Sequence, residues 1–261
     1  MTVIRTPAVA GQFYSADPEE LRRTVATLLT EVQGEESPAP KALIAPHAGY
    51  IYSGPVAANA YARLRPYRDR YERVVLLGPS HRTPVVGLAL SSADVYRMPM
   101  GDVRLDKAAI DSLDIDGVRV ADQCHEFEHS LEVHLPFLQA VLGDFLLVPI
   151  VVGDAKPQLV SEVLEALWGG PETLIVISSD LSHYLPRAAA EASDRITCEA
   201  IEHLDIEPIN HQRACGAVPV AGLLLAARRH EMQVTTLDLR NSADTAGDSE
   251  CVVGYGAWLF V

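Results

Sequence analysis

Short apolar runs alternate with amphipathic segments along almost the whole chain. "KALIAPH" (41–47), "RVVLLGPSH" (73–81), "VGLALSS" (86–92), "FLLVPIVVG" (145–153), "TLIVISSD" (173–180), "VTTLDLRN" (234–241) and "GYGAWLFV" (254–261) read as strands. Most are apolar at nearly every position, the pattern of strands covered on both faces. Segments of helical spacing fall between them: "LRRTVATLLTEV", "GPVAANAYARL", "SLEVHLPFLQAVL", "PQLVSEVLEALW", "PRAAAEASDRITCEAIEHL" and "VPVAGLLLAARRHE". The first has a full start signal, with Asp17 as N-cap, Pro18 at the first helical position and Glu20 completing a capping box. "GEESPAP" (34–40) is the one linker-like stretch, and no internal repeat interrupts the alternation. The pattern predicts a single α/β domain over residues 1–261, a mixed sheet with helices on both faces.

Composition narrows the function classes. Twenty-one basic against 35 acidic residues leave a net charge of −14 over 261 residues. Nucleic-acid backbones and anionic membranes attract basic patches, so neither is expected as a partner. The N-terminal "MTVIRTPAVAGQFYSADPEEL" has no apolar core of signal-peptide length, and "FLLVPIVVG" and "GAVPVAGLLLAA" are too short to span a bilayer. Cys124, Cys198, Cys215 and Cys251 are scattered, which points to neither a disulfide framework nor a zinc knuckle. The expectation is a soluble cytoplasmic protein.

Candidate chemistry collects at the ends of three predicted strands. "LIAPHAGY", "LLGPSHRTP" and "VISSDLSHY" each close an apolar run with small residues or proline, then present His47, His81, or Asp180 with His183. Open α/β sheets bind ligands beyond the carboxyl ends of their strands, so this placement suits a shared metal or acid–base site. Two neutral imidazoles suit Fe(II), Zn(II) or Cu(II), and Asp180, Glu132 or Cys215 would complete a ligand face. "NHQRACGAVPV" sets Cys215 just before a predicted helix, where backbone N–H groups favour thiolate. If "DLSH" forms a helical turn, Asp180 and His183 fall on one side of it. "HEFEH" (125–129) matches the zinc-protease pattern H-E-x-x-H, but no helical apolar stripe precedes it. We therefore read that match as accidental and start the helix at "SLEVHLPFL", with His134 solvated or packed on it and Ser130 as its cap. His203, His211 and His230 lie in polar, helix-end contexts and read as surface residues.

"AGQFYSADPEEL", "APHAGYIYSG", "LLGPSHRTP", "EHSLEVHLPFLQ", "SSDLSHY" and "ACGAVPV" resemble, in order and spacing, the Memo family (mediator of cell motility in animals, with many bacterial and archaeal members). The resemblance implies a three-layer α/β/α fold with a central mixed sheet, similar to the class III extradiol dioxygenases, which are non-haem iron enzymes. It implies His47, His81 and Cys215 as metal ligands, His183 as the acid–base residue, and Asp180 in the same pocket. Dioxygenases complete their triad with a carboxylate, whereas Cys215 would supply a softer, oxidisable thiolate. The function this implies is a non-haem Fe(II) oxygenase-like enzyme, with Zn or Cu as other metals, acting on a small-molecule substrate. The rival readings are a non-catalytic protein that grips a ligand or peptide in the same pocket, and a zinc-dependent hydrolase. Relatives also suggest a pathway shared with a radical-SAM protein and an AMMECR-type protein.

Overall fold

In a computed structural model, residues 2–32 and 37–261 are described. The linker-like stretch 34–40 lies partly outside them. Twelve strands are described: β1 (Ile4–Arg5), β2 (Ala42–Ala45), β3 (Arg73–Pro79), β4 (Leu88–Leu90), β5 (Val95–Met98), β6 (Gly101–Leu105), β7 (Val118–Val120), β8 (Leu146–Val152), β9 (Thr173–Ser178), β10 (His183–Leu185), β11 (Val234–Asn241) and β12 (Val252–Phe260). Seven α-helices accompany them: α1 (Pro18–Thr30), α2 (Tyr50–Ala62), α3 (Lys107–Asp111), α4 (Leu135–Leu142), α5 (Pro157–Ala166), α6 (Arg187–Glu202) and α7 (Ala217–Arg229).

The sheet runs β1-β5-β6-β8-β3-β9-β2-β12-β10, with β11 beside β12, and β4 joining β8 to β7. Its centre is parallel, from β8 through β3 and β9 to β2, and these are the strands with almost wholly apolar sequences. Burial on both faces follows from the helices. α5 packs on α7, which lies on β9 and β3, α1, α2 and α4 pack together with α2 on β2 and β12, and α6 covers β11 and β12. This is the expected three-layer α/β/α architecture with a mixed sheet. Every strand read from the apolar runs is present. Missed were β1, β5, β6, β7 and β10, all five residues or fewer and mostly half-exposed, so no apolar run marks them.

Helix α1 begins where the sequence puts it. Asp17 accepts the N–H of Glu19 (3.0 Å) and Glu20 (2.8 Å), Pro18 opens the helix, and Leu21, Val25 and Leu29 share its buried face. The helix expected from Ser130 begins later. A 3-10 turn over Glu132–His134 precedes α4, and Ser130 Oγ donates to Pro79 O (2.8 Å) instead of capping. Among the described residues, no helix is long and apolar enough to cross a membrane.

Candidate metal centre

Because β3, β9 and β2 are parallel neighbours, their carboxyl ends open on one edge of the sheet. The chain leaves β2 at Ala45 and reaches His47 after Pro46, leaves β3 at Pro79 and reaches His81 after Ser80, and leaves β9 at Ser178 and reaches Asp180 after Ser179. A similar sequence position thereby becomes a shared location. The rings of His47 and His81 have centroids 5.0 Å apart.

A third imidazole joins them. The His129 ring lies 4.7 Å from His81 and 5.5 Å from His47, and one ligand atom of each of the three falls within 4.8 Å of the others. This corrects the reading of "HEFEH" as unconnected to the site. The motif is indeed not a zinc-protease helix, because only Asp122–Cys124 forms a short 3-10 turn and the residues up to His129 are irregular. Its two histidines part company. His125 turns into the core, bonded to Tyr96 OH (2.7 Å) and Ala89 O (3.0 Å), while His129 faces the pocket. Nothing in a local pattern could separate them, since the difference lies in how an irregular loop crosses the end of β3.

The hydrogen bonds of the Nδ1 atoms settle the tautomers. Ser178 Oγ donates its one proton to Ser130 O (2.6 Å), so at 2.5 Å from His47 Nδ1 it accepts, and His47 Nδ1 carries the hydrogen. His81 Nδ1 faces the Glu128 carboxylate at 3.0 Å, and His183 Nδ1 faces Leu181 O at 2.8 Å, so both donate. Each Nε2 then presents its lone pair, that of His47 toward the Cys215 thiol at 3.4 Å, the form a metal ligand or general base requires. Burial lowers the pKa of His47 well below its ordinary value, helped by neighbouring His81 and His129, and burial brings His129 down to about 4. Burial thereby keeps His47 and His129 neutral at cellular pH.

Glu128, which the sequence did not single out, holds this arrangement. It is buried and accepts the backbone N–H of His81 (2.6 Å), Arg82 (3.3 Å), His129 (3.0 Å) and Ser130 (3.0 Å). Burial alone would raise its pKa, but the side-chain and backbone bonds from His81 outweigh it and hold the carboxyl at about 2. Among the described residues, no lysine or arginine side chain pairs with it. A buried carboxylate without such a partner, one imidazole away from the pocket, suits a cation at the imidazoles.

The remaining candidates sort by contact. Cys215 Sγ lies 3.4 Å from His47 Nε2, outside the three-donor group. Nitrogen at about 2.1 Å and sulfur at about 2.3 Å on a tetrahedral metal stand roughly 3.6 Å apart, so this pair fits a common ion. The expected thiolate is not supported in the protein alone. Burial pushes the Cys215 thiol up, and the nearby Asp180 charge adds to it, outweighing the backbone N–H of Gly216. Asp180 accepts the His47 N–H (2.7 Å), and its other oxygen lies 4.0 Å from His47 Nε2. Burial raises its carboxyl to about 6, against the bond from the His47 backbone. Asp180 and His183 do line one pocket, but not on a helical turn, because His183 starts β10. Glu132 is no ligand. It binds Arg5 and Tyr14 OH, together with the N–H of Ala8 (2.7 Å) and Val9 (3.0 Å). His134 is packed, bonded to Tyr61 OH (2.7 Å), and His203, His211 and His230 are exposed.

Gly78 allows this edge to close. A Cβ there would meet Ser130 Oγ at 2.7 Å and Leu131 Cδ2 at 2.9 Å, the residues that tie "HEFEH" to β3. Gly78→Ala is expected to lower stability by about 1–3 kcal/mol in urea unfolding. A neutral substitution would mean the loop gives way freely.

Fold and site together define an α/β protein with a histidine-lined pocket of about 570 Å³ at the carboxyl edge of its parallel strands. The family described as Memo-like protein matches residues 5–259, and the chain belongs to the Memo family. A MEMO1 family protein of Aquifex aeolicus is 37% identical over 99% of both chains. Protein MEMO1 of Rattus norvegicus is 33% identical over 95% of this chain and 92% of its own. An uncharacterized Escherichia coli K12 protein of known crystal structure covers 82% of this chain and 98% of its own, with a TM-score of 0.52 and 14% identity, a likeness of fold.

Proposed function

We propose that the protein is a metal-dependent, oxygenase-like enzyme working in this pocket, with non-haem Fe(II) as its metal. His47, His81 and Cys215 would hold the ion, with His129 beside them as a further donor. The observation that carries this reading is the pair of Nδ1 donors, His47 on Ser178 and His81 on Glu128, which leaves two lone pairs beside each other. A bound cation would reverse the electrostatics at Cys215, because a coordinating thiol is deprotonated. Fe(II) would supply Lewis acidity and one-electron chemistry toward dioxygen. The chain's own residues bind and orient the substrate, and His183 Nε2 takes and returns a proton, with Asp180 beside it.

Metal analysis of anaerobically purified protein tests this. Wild type should hold about one ion per chain, and His47→Ala and His81→Ala should lose it while remaining folded. His183→Ala should retain it. Metal-free wild type, or full metal in His47→Ala, would overturn the assignment.

A further inference from the structure

His183 belongs to a short segment whose place is set from outside it. Leu181 N–H donates to Gly254 O (2.8 Å) and Gly254 N–H donates to Ser182 O (2.8 Å), which ties the segment to β12. The Ser182 N–H is taken by Asp194 Oδ1 (2.9 Å), twelve positions further along the chain on α6. His183 then donates from Nδ1 to Leu181 O (2.8 Å). The imidazole is thus held by a carbonyl whose position depends on β12 and on α6 together. Pairing of β10 with β12 slips between His183 and Leu185, an irregularity of the kind that re-aims a side chain, and His183 lines the pocket.

Asp194 is a costly residue at its position. Helix α6 buries Ala190, Asp194, Thr197, Cys198 and Ile201 along one stripe, and Asp194 is the one carboxylate on it. It is 3% exposed, and among the described residues no lysine or arginine side chain pairs with it. Burial raises its carboxyl above the ordinary value, against the bond from the Ser182 N–H. An apolar side chain would serve the helix face better, so what Asp194 supplies is its acceptor oxygen. The opposite strand is shaped around it. A Cβ at Gly254 would meet Asp194 Oδ2 at 1.9 Å and Cγ at 2.5 Å, and the backbone of the same glycine holds Leu181 and Ser182.

We propose that Asp194 is a positioning residue for His183: through Ser182 it fixes the Leu181 carbonyl, which keeps the ring hydrogen on Nδ1 and the lone pair on Nε2. The two tautomers exclude each other. An imidazole with its hydrogen on Nε2 presents a donor to the pocket and accepts no proton there. The inference rests on the proposed acid–base role of His183 and adds the group that sets its tautomer.

Heteronuclear NMR of the nitrogen-labelled full chain reads the tautomer directly, because protonated and lone-pair ring nitrogens differ widely in shift. Spectra are taken with zinc as a diamagnetic probe metal, above the ordinary imidazole pKa of about 6.5. The His183 signals are assigned by their loss in His183→Gln. Wild type should carry its hydrogen on Nδ1. Asp194→Leu keeps the branched shape without an acceptor, and its Nε2–H fraction should rise severalfold. Gly254→Ala, which displaces the carboxylate from the other strand, should do the same, and it carries the test if Asp194→Leu does not fold. Asp194→Asn keeps an oxygen for the Ser182 N–H and should restore the wild-type pattern. An unchanged tautomer in folded Asp194→Leu or Gly254→Ala overturns the inference, as does an Nε2–H pattern in wild type or in Asp194→Asn. Zinc content of the same samples separates the two readings. The expected tautomers in protein that takes up no zinc support the positioning role while removing the metal enzyme; full zinc with an unmoved tautomer does the opposite.

Discussion

Glu132→Ala should destabilise the protein by about 3–5 kcal/mol, the largest single-site effect on stability we expect. Glu132 is fully buried and neutralises Arg5, whose other donors go to His125 O (3.1 Å) and Glu128 O (2.6 Å). Removing the carboxylate leaves a buried guanidinium without its counter-charge. It also strands the Tyr14 hydroxyl and the N–H groups of Ala8 and Val9. The consequence reaches the pocket, because the same segment carries Phe13, whose ring packs on His129 at 4.8 Å and whose carbonyl accepts the Tyr50 N–H (2.8 Å). Urea unfolding of wild type and variant measures the loss, and a change below about 1 kcal/mol would show that the segment is held by its apolar contacts alone. Glu132→Gln should retain part of the hydrogen bonding and fall between the two.

Glu128→Gln should weaken metal binding by about 10–100-fold with a smaller effect on stability. The carboxylate is acceptor-only and serves four backbone N–H groups as well as His81 Nδ1. An amide brings its own N–H₂ against one of those donors and removes the negative charge that raises the basicity of His81 Nε2. Competition with a chelator of known affinity, using zinc as the probe metal, reads the change directly, and an unaltered affinity would show that Glu128 only fastens the loop. Its acid dependence has a definite sign. The carboxyl is held at about 2, below its ordinary 4.5, so its stabilisation is complete above pH 4.5 and lost as pH falls toward 2. Glu128→Gln should flatten the stability curve over that interval.

Both residues show where reading the sequence stops. His47, His81 and Asp180 were legible because each follows an apolar run that could only be a buried strand, and parallel strands deliver their carboxyl ends to one edge. That inference needs no knowledge of loop paths. His129 and Glu128 sit on an irregular segment whose course is set by Ser130 meeting the end of β3, and by Ser178 reaching across to Ser130 O. Glu128 meets His81 and Arg82 from 47 and 46 positions away in the chain, so local spacing holds no trace of the contact. Glu132 shows the reverse error. In sequence it is a free carboxylate beside a histidine-rich loop, and only the folded chain reveals Arg5 and Tyr14 already occupying it. Burial works against the expected Cys215 thiolate for a related reason, since a following helix is visible in sequence but the depth of burial is not. The sequence by itself determined the alternation of strands and helices, the exposed start of α1 and the strand-end imidazoles, all set by short-range periodicity and capping. Which polar groups face the pocket, which are consumed elsewhere, and which tautomer each histidine holds were decided by the tertiary structure alone, because hydrogen-bond partners and burial belong to residues brought together from distant parts of the chain.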